Sequence, residues 1–102
     1  MTRRHPSFDS GDDLLGARVV TELDLHGRTQ LEAERDVRSF IATAARAHSG
    51  SVVRIITGKG RNSPGRAKLP STVRRLLNGE LKPYCADWDV DVNEGAVLVR
   101  LK

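Results

Sequence analysis

The stretch LDLHGRT, residues 23–29, carries a carboxylate and an imidazole one residue apart, Asp24 and His26, directly before a glycine. Alternate residues of a strand share a face, so an extended chain sets these two side chains together where it breaks at Gly27. Imidazole is the side chain whose charge changes near neutral pH, and a neighbouring carboxylate can orient it or hold a cation. A second stretch, TGKGRN at 57–62, offers different chemistry. Gly58 and Gly60 let the backbone approach a phosphate closely, and Lys59 adds a point charge. From Arg54 to Arg75 the ionisable residues are Arg54, Lys59, Arg61, Arg66, Lys68, Arg74 and Arg75, with no Asp or Glu among them.

The elements that position these residues follow from periodicity. Residues 1–16 mix Pro, Ser, Gly and charge without a period and read as a loose arm, with His5 solvated in it. The division drawn is an arm over 1–18 and one domain over 19–102, and a chain beginning near Ala17 is expected to melt as the whole does. Leu23 and Leu25 alternate with Asp24 and His26 in a short strand ended by Gly27. Thr29 and Glu32 have capping-box spacing, and Ala33, Val37, Phe40, Ile41, Ala44 and Ala45 form the apolar stripe of a helix that stops by Gly50. His48 at that end suits the helix's negative pole. SVVRIIT at 51–57 is a β-branched second strand, joined to the first by a right-handed parallel crossover. Pro70 opens a second helix that buries Val73, Leu76 and Leu77. DWDVDV and AVLVRL follow as two strands of a hairpin turned at Asn93, Glu94 and Gly95.

The order is therefore β-α-β-α-β-β, an α/β two-layer sandwich with a four-stranded mixed sheet and both helices on one face. Leu23, Leu25, Val53, Ile55, Trp88, Val90, Val92, Val97, Val99 and Leu101 make the apolar face. Asp24, His26, Arg54, Asp87, Asp89, Asp91 and Arg100 fall on the other, which is expected to be wet.

Loops that follow parallel strands share one edge of the sheet, where ligands of open α/β sheets bind. HGRT and TGKGRN are those loops, and both helix N-termini point the same way, which predicts an anion site. Each feature alone has a plainer reading. A Gly-rich turn is often only a turn, the basic run can be a solvated surface, Asp24 can pair with Arg28 or Arg54, and His26 can bond a carbonyl. Their convergence favours the site. Other chemistries fit poorly. GRNSPGRA has two Gly at P-loop spacing without the following Lys and Ser/Thr, and one Cys with three scattered His gives no zinc set. Cys85 has no evident partner for nucleophilic catalysis. Asp87, Asp89 and Asp91 read as a solvated strand face, and 4% aromatic content offers no base-stacking platform. At 102 residues and 38% hydrophobic content the chain fills one core. A lone cysteine and the lack of a long apolar run predict a reducing, cytoplasmic setting without a membrane segment. The net charge of +4 points to an acidic partner.

LDLHGRT leading into a helix, VRIITGKG about thirty residues later, and a terminal pair of alternating strands together resemble the small MutS-related (Smr) domain family over roughly residues 22–102. RNSPGRAKLPSTVRRLL looks most like its stand-alone bacterial members. The resemblance implies a fold similar to the C-terminal domain of translation initiation factor three, and endonuclease activity that cleaves RNA or nicks DNA, with ribosome association in some members. The family's Asp-x-His signature falls on Asp24 and His26, and its second signature on Thr57, Gly58, Lys59 and Gly60. Many bacterial members carry His where this chain has Thr57, so a two-histidine mechanism is not expected here.

The mechanism this implies has His26 transferring a proton. The phosphate is held by Arg28, Lys59 and the Gly58 and Gly60 amides, beside Gly27 and Thr57, within a nucleic-acid surface that includes Arg61, Arg66 and Lys68. Asp24 orients His26 or holds a divalent ion such as Mg. RNA can be cut by its own 2′-hydroxyl without a metal, whereas nicking DNA requires an activated water and favours one. The runner-up is a nucleic-acid or ribosome-binding module that cuts nothing. A monomer is assumed.

Overall fold

The computed structural model describes residues 14–58, 69–91 and 95–102. Four strands, β1 (Val19–Asp24), β2 (Val52–Ile56), β3 (Cys85–Asp91) and β4 (Ala96–Leu101), alternate with two helices, α1 (Gln30–Ala47) and α2 (Leu69–Asn78). The sheet order is β1-β2-β4-β3, with β1 and β2 parallel and the β2–β4 and β4–β3 pairs antiparallel. This is the expected α/β sandwich. The predicted hairpin turn at Asn93 and Glu94, and Val92, lie outside the described residues, while the pairing of β3 with β4 stands.

One core fills the space between sheet and helices. Ala33, Val37, Ile41 and Ala44 of α1 and Val73, Leu76 and Leu77 of α2 pack on Leu25, Val53, Ile55, Val97, Val99 and Leu101. Leu23, Phe40, Trp88 and Val90 close its margins, as their periodicity predicts. α1 begins where its sequence says it should. The Thr29 hydroxyl accepts the Glu32 N–H at 3.1 Å and the Glu32 carboxylate accepts the Thr29 N–H at 3.0 Å, so two otherwise orphaned donors are paired. Gly50, past the helix end, takes φ +81°, a conformation that favours glycine. On the solvent side, Arg38 of α1 bonds Glu80 just past α2 at 2.7 Å and Arg75 of α2 bonds Glu34 of α1 at 2.8 Å, tying the two helices together.

The opposite face of the sheet differs from its expectation. Leu14, assigned to the arm, sits in a short 3-10 turn (Leu14–Gly16) and is fully buried against Val52 and Leu98, with Ala17 and Val19 beside them. Part of the face expected to be wet thus carries a second, smaller apolar cluster. Two bulges explain why simple alternation missed it. Register shifts between Val19 and Thr21 leave Val20 as an extra residue, so Val19 turns to the far face while Thr21 and Leu23 stay toward the helices. A matching shift between Cys85 and Asp87 returns Cys85 to the core. Among the described residues no helix is long and apolar enough to cross a membrane.

The edge strand β3 explains its row of aspartates. Asp87 Oδ1 accepts the Trp88 N–H at 2.9 Å and Asp89 Oδ1 accepts the Val90 N–H at 2.8 Å. These carboxylates occupy amides that the outermost strand cannot pair with a neighbour, and they discourage another chain from pairing there.

Candidate functional site

The two loops singled out by their residues meet at the carboxyl ends of the parallel strands. β1 stops at Asp24, and the Leu25 N–H donates to the Ile56 carbonyl at 2.8 Å, which carries the pairing one residue beyond β1 and seats the first loop against the end of β2. Leu25 is wholly buried and anchors the turn from below. The turn closes with the Arg28 N–H on the Leu25 carbonyl at 2.9 Å, and Gly27 takes φ +82° there. A side chain at that φ is strained, which accounts for glycine directly after His26.

Asp24 and His26 are therefore not neighbours on one strand face. His26 lies in the turn, exposed, and the contact joining the pair runs through the backbone, where Asp24 Oδ1 accepts the His26 N–H at 2.9 Å. The carboxylate fixes the loop that presents the imidazole. Arg28 and Arg54 pair elsewhere, Arg28 with Asp36 at 3.5 Å and Arg54 with Glu22 at 3.9 Å. Arg28 remains half exposed, so its charge still faces solvent at the loop. Next to it, Glu32 is held below the ordinary carboxylate range chiefly by the Thr29 backbone N–H, so α1 begins with a negative charge of its own. That fills the N-terminus the sequence offered to an anion.

The second loop starts with Thr57, almost wholly buried at 2% exposure. Its hydroxyl donates to the Gly95 carbonyl at 3.1 Å. The Thr57 and Gly58 N–H groups donate to the same oxygen at 2.8 and 3.0 Å. Gly58 takes φ +83°, turning the chain away from the sheet. The Gly58 amide expected to hold phosphate is thus already paired within the protein. Gly58 makes the turn, and the buried Thr57 clamps the end of β2 to Gly95. No spacing in the sequence signalled this bond from β2's end to the carbonyl before β4. Lys59, Gly60, Arg61, Arg66 and Lys68 lie outside the described residues.

Beside the second loop, about 200 Å³ of space opens between the first turn of α2 and the ends of β3 and β4. Cys85 is buried, and desolvation pushes its thiol up to about 11, which removes it as a nucleophile at neutral pH. Among the described residues no three His, Cys, Asp or Glu side chains, Asp24 included, converge to hold an ion.

The family model for the Smr domain matches residues 23–102, from the first residue of LDLHGRT to the last of the chain. An SMR domain-containing protein of Arabidopsis thaliana is 29% identical over 86 residues, which cover 84% of this chain and 16% of that protein. The chain thus spans about a sixth of the length of the relative it matches.

Proposed function

The chain belongs to the Smr domain family, and from that premise we propose that it is an endonuclease cutting phosphodiester bonds of RNA or DNA at the loop pair 24–28 and 57–60. The observation that supports the reading is the Leu25–Ile56 hydrogen bond, which ties the loop carrying the exposed His26 to the end of β2, directly before Thr57 and Gly58. His26 transfers the proton, accepting it from the attacking hydroxyl or delivering it to the leaving oxygen. Asp24 is a positioning residue, since its carboxylate holds the amide of the residue that carries the ring. Its charge is assigned a second part in this reading, stabilising the imidazolium that forms during transfer. Arg28 and the cations of the second loop, Lys59 and Arg61 with Arg66 and Lys68 beyond, hold the phosphate and steady its developing charge.

A second reading, a nucleic-acid or ribosome-binding module without cleavage, draws on one observation. Asp24 Oδ1 and the Gly58 N–H are both committed to the protein's own backbone. Purified full-length chain incubated with supercoiled plasmid and with structured RNA, each with and without magnesium, separates the two. Nicked circles or discrete RNA fragments are the expected products. Retention of both substrates intact, with binding preserved, contradicts the nuclease and leaves the binding module.

A further inference from the structure

We propose that the outer edge of β1, with the groove between it and α1, docks an extended basic segment of a partner protein, which adds to the sheet as a further strand. Among the described residues β1 and β3 are the two outer strands of the sheet. On β3, Asp87 and Asp89 occupy the Trp88 and Val90 amides and close that edge. β1 is left open. The Leu25 N–H donates to Ile56, and backbone groups alternate sides along a strand, so Leu23 also faces β2 while Glu22 and Asp24 turn their N–H and C=O groups outward. Their carboxylates are engaged elsewhere, Asp24 Oδ1 with the His26 N–H and Glu22 with Arg54 at 3.9 Å. The register shift at Val20 confines the open stretch to Thr21–Asp24, so backbone pairing there is short and the groove must supply the rest.

Alongside that stretch about 310 Å³ opens between β1 and α1, with Thr21, Ser39, Phe40, Thr43, Ala47 and His48 in its lining. Ser39, Thr43 and Ala47 follow one another at four-residue steps along α1, and their short side chains leave the space open. Phe40, packed against the main core, gives it an apolar wall. A strand laid along β1 sends alternate side chains to the helix side, into this groove, and the others to the far side, beside Glu22 and Asp24. The groove takes an apolar side chain such as Val, and the two acids take Lys or Arg. Alternating apolar and basic residues are the pattern recognised. The same charges disfavour other occupants. Two copies paired antiparallel along Thr21–Asp24 set Glu22 against Glu22 or Asp24, a like-charge contact. A phosphate backbone meets the same pair of carboxylates.

The test is NMR titration of the full chain with a capped nine-residue peptide of alternating Val and Lys. Its companions are the same peptide with Glu for Lys, and two versions N-methylated at either the Val or the Lys amides. The chain itself carries +4, so general electrostatics oppose the cationic peptide and only a local site binds it. Shifts are expected along β1 and the Ser39–His48 side of α1, with exchange of the Glu22 and Asp24 amides slowed roughly tenfold or more. One methylated version is expected to lose roughly tenfold in affinity, because only one set of amides faces β1. Glu22→Gln is expected to weaken binding about two- to fivefold, the scale of one cross-strand charge pair, and the Glu peptide not to bind. Thr43→Phe, at an exposed position, fills the groove and is expected to weaken binding further. Equal binding by all four peptides, shifts away from β1, or unchanged Glu22 and Asp24 exchange overturns the proposal. So does a uridine oligonucleotide that takes the same edge more tightly, or a dimer of the chain on that edge which the peptide does not displace. None of these results bears on cleavage, which is tested separately.

Discussion

Thr57 shows how one side chain can belong to a family signature and yet do structural work. Buried and bonded to Gly95, it holds the end of β2 against the start of β4. Thr57→Val keeps the shape and removes the donor. The Gly95 carbonyl still accepts two N–H groups, so the loss is expected to be about 1 kcal/mol or less, read as a small fall in melting temperature, with cleavage within a few-fold of the parent. A hundredfold loss of cleavage without a change in melting would show that the hydroxyl faces substrate. His26 and Asp24 were legible in the sequence as chemistry because of their types, but their geometry was not. Period-two reasoning placed both on one strand face, and the strand ends at Asp24, two residues too early for that. Asp87 and Asp89 reverse the case. Their face was read correctly, while their bonds to their own strand's next amides depend on β3 being an edge, which strand order alone reveals.

At the scale of elements, α1 was legible almost in full because its signals are local. The capping box, the apolar stripe and the glycine stop all act within a few residues. The parallel pairing of β1 with β2 and the antiparallel pairing of β3 with β4 followed from alternation and connection length, whereas the β2–β4 pair joins strands too far apart in sequence for either signal. What local periodicity could not show were the bulges at Val20 and Ala86, since each flips the face of one residue through pairing with a distant strand. The cap also makes a pH prediction. The carboxyl of Glu32 is held below its ordinary value of 4.5 in the fold, so its contribution is complete above that value and is lost as the pH falls below it. Glu80, lowered mainly by its bond to Arg38, acts in the same direction. Glu32→Gln is therefore expected to flatten the decline of melting temperature on the acid side of pH 4.5, and Thr29→Ala to cost about 1 kcal/mol at neutral pH. An acid limb unchanged in Glu32→Gln would place the titration in other carboxylates.

For the whole molecule, Leu14 bears on where the domain begins. A chain starting near Ala17 was expected to melt like the parent, whereas the burial of Leu14 against Val52 and Leu98 predicts that it melts lower. Leu14→Ala is expected to cost about 2–3 kcal/mol, and removal of residues 1–16 to lower the melting temperature by on the order of 10 °C. Equal melting of the truncated and full chains would show that this contact contributes nothing. The same scale governs nucleic-acid binding. A surface that includes Lys59, Arg61, Arg66 and Lys68 displaces counterions, so affinity should fall steeply with salt and Lys59→Ala with Arg61→Ala should flatten that slope by about two ions. An unchanged slope would put the nucleic acid on another face. The account as a whole stands on His26 moving a proton at a phosphodiester, and the direct measurement is cleavage rate and equilibrium binding on the same preparations of the parent, His26→Ala and Asp24→Asn, each first shown to melt like the parent. Asn keeps an acceptor for the His26 N–H and loses only the charge. Both variants are expected to keep most of their affinity and to lose roughly a hundredfold or more in cleavage. Cleavage at the parental rate in both would contradict the account and leave LDLHGRT as a turn that shapes the sheet's edge.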